Sequence, residues 1–185
     1  MANSDNRPKW KHIGTKSKWT YPLHTTDSDG ESPVLRAIED TQEVILVESI
    51  GDMLNLHEYG HKNVLVTFGL DVSSKLVCST LSLNPQKIVI SLNNDFNSSQ
   101  NRGLNASIKN YLKLLNYYNP NQISICLPNK KDFGEMADED FNSWNNKLLS
   151  TEPEKQRSFI LDKINEIHKS LPKTLLKNKK IIDNE

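Results

Sequence analysis

Apolar residues in this chain come in short runs, and three of those runs end in polar or charged side chains. Val44, Ile45, Leu46 and Val47 lead into Glu48. Ile88, Val89, Ile90, Ser91 and Leu92 lead into Asn93, Asn94 and Asp95. Ile123, Ser124, Ile125, Cys126 and Leu127 lead into Pro128, Asn129, Lys130, Lys131 and Asp132. Runs this short and this apolar are expected to be strands buried on both faces. With a fourth run, the pattern predicts strands over residues 43–48, 63–68, 87–92 and 122–127. Helical spacing lies between them. Residues 51–59 predict a helix with Met53, Leu54 and Leu56 inward and Gly60 as its stop. Residues 73–81 predict another, begun by serines that can cap it. Residues 102–118 predict a third, with Leu104, Ile108, Leu112 and Leu115 on one face and Pro120 ending it. A short helix over 33–40 precedes the first strand, and helices over 138–149 and about 151–170 follow the last. In the final helix Phe159, Ile160, Ile164 and Ile167 share a face, and Pro172 breaks it. Alternation of strand and helix predicts an α/β fold with a central parallel four-stranded sheet covered on both faces.

Charge changes this picture mainly at the ends. Lysine plus arginine equals aspartate plus glutamate at 23 each, so the formal net charge is zero. Arg7, Lys9, Lys11, Lys16 and Lys18 nevertheless precede any balancing acid after Asp5, and Lys169, Lys173, Lys177, Lys179 and Lys180 crowd the other end. Either end could touch an anionic polymer or be a solvated tail. Trp10, Trp19 and Tyr21 alternate with the first set of lysines, a composition able to hold phosphates and stack on bases. The same rings could instead pack on the domain. Residues 25–32 read as a loop. The organisation expected is a basic, aromatic extension over 1–40, with 1–8 disordered, a domain over 41–150, and a helix with a lysine-rich tail over 151–185. Cys78 and Cys126 are expected to be buried free thiols in a reducing compartment. Without a paired-cysteine motif a zinc ribbon is excluded, and the histidines lack ligand spacing. With no signal peptide and no apolar run of membrane length, a soluble cytoplasmic protein is expected.

Ligands of open parallel sheets bind outside the carboxyl ends of the strands. That edge would collect Glu48, Gly69, Asn93, Asp95, Lys130 and Asp132. Carboxylates among oxygen-rich neighbours suit Mg²⁺ or Mn²⁺, and a bound ion could hold a triphosphate for in-line transfer. Rival motifs are absent: there is no phosphate-cradling P-loop, no dinucleotide glycine fingerprint and no nucleophile elbow. Cys126, inside a strand, is a poor nucleophile.

Three segments together resemble a Toprim domain, the Rossmann-like fold shared by bacterial-type primases, topoisomerases and some nucleases. They are residues 44–54 around Glu48 and Asp52, residues 60–69 ending at Gly69, and residues 88–95 ending in Asn93, Asn94 and Asp95. The match is best to phage and bacterial-type DNA primases and primase–helicases. Leu127, Pro128 and Asp132 fit a later Leu-Pro-x-x-x-Asp motif, and Lys16 to Leu23 resemble the basic segment before Toprim. The resemblance implies that Glu48 is the general acid/base or a metal ligand, and that Asp95 binds Mg²⁺ or Mn²⁺ with Asn93 and Asp52 nearby. It also implies that Lys16 and Lys18 contact nucleotide or template phosphate, and that Lys130, Lys131, Gly69 and Asp132 border the cleft. The implied activity is RNA primer synthesis from NTPs on single-stranded DNA in replication, in the host cytoplasm if the gene is a phage's. A replicative helicase or separate primase subunit is the implied partner, because zinc-binding and helicase parts are missing. The alternatives are a non-catalytic nucleic-acid- or partner-binding module and a small Toprim nuclease.

Three positions depart from that family. Ser49 replaces the glycine after the glutamate. Asn93 replaces the first acid of an Asp-x-Asp pair, keeping a carbonyl ligand but losing a charge, which lowers metal affinity. The loop from Phe96 to Gly103 is long.

Overall fold

The computed structural model describes residues 14–96, 101–150 and 152–183. Arg7, Lys9, Trp10 and Lys11, the disorder expected over 1–8, and residues 97–100 of the long loop lie outside the described residues.

Four short strands form one parallel sheet: β1 (Glu43–Val47), β2 (Val64–Val66), β3 (Lys87–Ile90) and β4 (Ile123–Ile125), in the order β2-β1-β3-β4. Ile45 lies opposite both Val64 and Val89, and Ile88 lies opposite Ile123. Side chains alternate faces along each strand. Val44, Leu46, Leu65, Ile88, Ile90, Ile123 and Ile125 enter one buried cluster. Ile45, Val47, Val64, Val66, Val89 and Cys126 enter the other. Apolar contacts on both faces explain why the strands read as continuous apolar runs.

Helices supply the two outer layers. The first cluster takes Val34 and Ile38 of α1 (Pro33–Thr41), Leu76 and Val77 of α3 (Ser74–Leu83), and Ile108, Tyr111 and Leu112 of α4 (Arg102–Leu114). It also takes Ile160 and Ile164 of α6 (Pro153–Ile167) and Ile182 of α8 (Lys179–Asp183), so the carboxyl-terminal helices share the core of the sheet. The second cluster takes Met53 and Leu56 of α2 (Ile50–Glu58) and Phe141, Trp144 and Leu148 of α5 (Asp138–Ser150). Trp144 is fully buried, donates its indole N–H to the Cys126 carbonyl at 3.0 Å, and meets Phe133 edge-on.

Several expectations need correction. Leu54 faces solvent, because α2 uses Met53, Leu56 and Asp52 as its inward stripe. Phe159 also lies outside, under the Lys163 ammonium, while Ile160 and Ile164 point in. Cys78 is exposed, and only Cys126 is buried. Burial pushes the Cys126 thiol up to about 11. The helix preceding Pro120 ends at Leu114, and Pro120 opens a 3-10 turn instead. The lysine-rich end is no loose tail: α7 (Lys173–Leu176) and α8 follow in near-continuous helix. Asn178, between them, donates to the Leu112 carbonyl at 2.7 Å.

Removing Trp144 should leave both a cavity and an unanswered carbonyl lone pair. Trp144→Ala is expected to destabilise the fold by about 3–5 kcal/mol, read as a lowered urea midpoint. A thiol reagent should label one cysteine, Cys78, in the native protein and both after unfolding.

Candidate active site

The strand order fixes where a site can form. From β1 the chain crosses to β2 on one side, and from β3 it crosses to β4 on the other. The two central strands therefore flank a switch point, where crossover loops diverge and leave a crevice. Glu48 follows β1 and Asn93 to Asp95 follow β3, so the switch point receives the residues that the sequence pattern singled out.

Glu48 is half-buried there. Its carboxyl is held above the ordinary value, first by burial, then by the negative charges of Asp52 and Asp95. The Arg102 guanidinium and a hydrogen bond from the Asn93 backbone N–H oppose that rise without cancelling it. Two carboxylates thus bear on Glu48, and one guanidinium opposes them.

Asp52 belongs to the neighbourhood but is already occupied. Ser49 caps α2, accepting from the Asp52 N–H at 3.2 Å. The Asp52 carboxylate in return accepts from the Ser49 hydroxyl at 2.6 Å and the Ser49 N–H at 3.0 Å, a reciprocal capping box. Its other oxygen accepts from the Phe133 N–H at 3.3 Å. Burial raises the Asp52 pKa, the Ser49 and Phe133 hydrogen bonds pull it down, and the nearby Asp132 charge raises it. Asp52 therefore shapes the field on Glu48 while its oxygens hold structure. Ser49, where the family has glycine, supplies the cap.

The loop after β3 is fixed by backbone and amide contacts. Asn101 caps α4 by accepting from the Leu104 N–H at 3.0 Å, accepts from the Asp95 N–H at 3.1 Å, and donates to Asn94 at 2.7 Å. Asn94 donates its amide to the Pro128 carbonyl at 2.9 Å, and its N–H to the Lys131 carbonyl at 2.7 Å. Gly103 closes the arrangement. A Cβ there would stand 1.5 Å from the Asn93 carbonyl oxygen and 2.7 Å from its carbon. Asn93 is thus held by its backbone on both sides, by Glu48 and by α4.

The remaining expected residues sit around this centre. Asp132 caps the 3-10 turn Phe133–Glu135, and Lys130 pairs with Asp140 at 3.7 Å. Lys131 is exposed and contributes its carbonyl to Asn94. Gly69 follows β2 with a φ of 142°, a conformation side chains rarely adopt. Lys16 and Lys18 lie exposed on a 3-10 turn. Trp19 and Tyr21 behind them pack on Phe68 at the carboxyl end of β2, and the Tyr21 carbonyl accepts from the Val66 N–H. The described rings of the basic stretch are therefore partly structural. Arg102, Asn101 and Gly103 complete the centre but were not among the candidates. An asparagine before Arg-Gly at a helix start was the available signal.

Among the described residues no three His, Cys, Asp or Glu side chains gather as a ready metal cage. Mg²⁺ needs less, because it keeps several waters and is bound through one or two carboxylates plus substrate phosphates. Glu48 and Asp95 offer the carboxylate oxygens that such an ion takes, with the Asn93 side-chain amide as a neutral neighbour. Asp52 already accepts three hydrogen bonds.

No protein-family model and no curated protein matches the sequence. Solved structures match the fold. The chain is similar to the RNA polymerase domain of Mycobacterium tuberculosis primase DnaG, with a TM-score of 0.58 at 12% identity over 86% of this chain and 51% of that one. It is similar to a DNA primase domain from Pseudomonas aeruginosa, with a TM-score of 0.57 at 13% identity over 98% of this chain and 61% of that one. A DnaG catalytic core gives 0.53 at 12% identity over 97% and 62%. The fold is shared with primase catalytic domains, as the Toprim resemblance implied. The chain spans about half to three fifths of those structures, and identity this low carries the fold alone. No helix among the described residues is long and apolar enough to cross a membrane.

Gly103→Ala should be destabilising even though alanine is the better helix former by about 1 kcal/mol. The clash is with backbone, and overpacking of this kind costs about 1–3 kcal/mol. Displacing Asn93 should also remove the N–H from Glu48 and raise its pKa further, visible in a carboxyl NMR titration. A second outcome concerns pH. The raised Glu48 pKa means the folded state binds that proton more tightly than the unfolded chain. Its contribution is full below the ordinary value of 4.5 and is lost as pH rises through the raised value. Glu48→Gln should therefore be more stable than wild type at pH 7 and gain nothing at pH 4, measured by urea unfolding.

Proposed function

We propose that this chain is the Toprim-type part of a DNA primase, acting in nucleotidyl transfer that builds RNA primers on single-stranded DNA during replication. The observation that supports this reading most is the gathering of carboxylates at the switch point. Glu48 stands there under the negative fields of Asp52 and Asp95, on a fold shared with primase catalytic domains. A crevice of this kind attracts a divalent cation and its attached phosphates.

In this reading Glu48 moves the proton at the attacking hydroxyl, a role favoured by a carboxyl held above its ordinary range. Asp95 and Glu48 would hold Mg²⁺ or Mn²⁺, which when bound neutralises phosphate charge in the transfer. Arg102 offsets part of the carboxylate charge and is placed to meet a phosphate. Lys16 and Lys18 on one side, and Lys130 and Lys131 on the other, would receive template or nucleotide phosphates. A replicative helicase or a separate primase subunit is the proposed partner.

One observation favours a second reading. Asp52 is committed to its cap and Asn93 is uncharged, so only Glu48 and Asp95 remain as carboxylate donors. A weakened centre of that kind fits a module that binds nucleic acid or a partner without chemistry.

Incubation with NTPs, single-stranded template and Mg²⁺ or Mn²⁺ should give short RNA, and Glu48→Gln should abolish it. If both proteins make no RNA but bind the template equally, the binding-module reading takes its place. Calorimetry should find about one weak Mg²⁺ per chain. Asn93→Asp should tighten that binding and Asp95→Asn should remove it.

A further inference from the structure

The lysine-rich end is a built surface. Between Glu166 and Asp183 the chain carries Lys169, Lys173, Lys177, Lys179 and Lys180 and no acid. Backbone torsions stay helical through Lys177, so Lys173 and Lys177 follow an i, i+4 spacing on one side, and Lys180 follows in α8 after a turn at Lys177 and Asn178. Leu171, Asn178 and Ile182 turn inward, with Asn178 tied to the Leu112 carbonyl and to Asn116. Lys169, Lys173, Lys177 and Lys180 are exposed, and none is in an ion pair within the described residues. Lysines held this close in helical order repel one another, and that repulsion is relieved by a polyanion.

Between this surface and the loop that carries Asp95 lies a groove. A cavity of about 440 Å³ lies between the start of α4 and the end of α6. Asn101, Asn105, Lys163, Glu166 and Lys169 contribute to its walls. Glu166 is already neutralised by Lys163 at 2.8 Å. Asn101, at one end, holds the loop that carries Asp95. Lys169, at the other, begins the lysine surface.

We propose that this groove and the lysines beyond it form a track for the phosphate backbone of single-stranded nucleic acid passing to or from the switch-point crevice. The inference rests on the nucleic-acid reading above. The track contributes charge without described aromatic rings, so it grips the backbone without reading sequence.

The test uses the full chain and a fluorescein-labelled 20-nucleotide oligothymidylate. Anisotropy titrations are run across a series of KCl concentrations. Each phosphate contact to a single strand contributes about 0.7 to the slope of log affinity against log salt. The quadruple variant Lys169→Gln, Lys173→Gln, Lys177→Gln, Lys180→Gln should flatten that slope by about 3. Lys62→Gln with Lys75→Gln, exposed lysines elsewhere, should leave it unchanged. An unchanged slope in the quadruple variant, with wild type binding the oligonucleotide, overturns the track and leaves the proposed function standing. Failure of wild type to bind at any salt overturns the nucleic-acid reading itself. Phosphatidylserine vesicles provide the remaining arm: a quadruple variant that loses vesicle binding but keeps oligonucleotide binding assigns the lysines to a lipid surface and overturns the track.

Discussion

The close approach of α4 to the loop after β3 is the constraint on which the site depends. With no side chain at Gly103, the helix start rests against the Asn93 carbonyl, where a single Cβ would collide with backbone. That contact sets the height of the loop above the sheet. From there the Asn93 N–H reaches Glu48, Asn94 bridges to the loop after β4, and the Asp95 N–H is held by the Asn101 cap. Three strand ends are locked together by groups that are mostly backbone or amide. Because those groups are neutral, the lock adds no charge to the carboxylates gathered there.

Burying Glu48 beside other carboxylates runs against stability. Asp52 could have relieved Glu48 by standing farther away, yet α2 brings it close because Asp52 completes the capping box with Ser49. The same carboxylate that finishes the helix therefore bears on the neighbouring Glu48. Burial raises both carboxyls first; the Asp52 and Asp95 charges add to the rise at Glu48, and the Asp132 charge adds to it at Asp52. Strained electrostatics of this kind are a signature of functional sites, since a core selected for stability alone would separate or pair the charges.

The sheet and its edge were legible because they rest on strong local signals. Apolar runs buried on two faces and polar residues at their ends mark both the strands and the edge where Glu48, Asn93 and Asp95 meet. Other features were not legible because three-dimensional partners decide them. Leu54 and Phe159 fit a helical stripe in the sequence, but the sheet and neighbouring helices accept a narrower one. Cys78 sits in an apolar pattern on a helix whose inward face is carried by Leu76, Val77 and Thr80. The Toprim resemblance implied Asp52 beside the metal, and its bonds from the nearby Ser49 hydroxyl and the distant Phe133 N–H depend on the fold. The lysine-rich end looked like a tail because lysines dominate it, and the few residues that anchor it are spread four or so apart.

Asn93 takes on a different weight once its backbone is considered. Read as a side chain, it is an amide where the Toprim resemblance implied an acid. Read as a backbone position, it is the residue whose N–H and C=O join Glu48 to α4, and any residue able to adopt that conformation would do so. The exchange of acid for amide therefore leaves the scaffold of the crevice intact while removing one negative charge from it. A second carboxylate at position 93 would have added its charge to those of Asp52 and Asp95 and pushed the Glu48 pKa further up. With an amide there, position 93 gives Glu48 a backbone hydrogen bond that lowers its pKa and adds no charge that raises it.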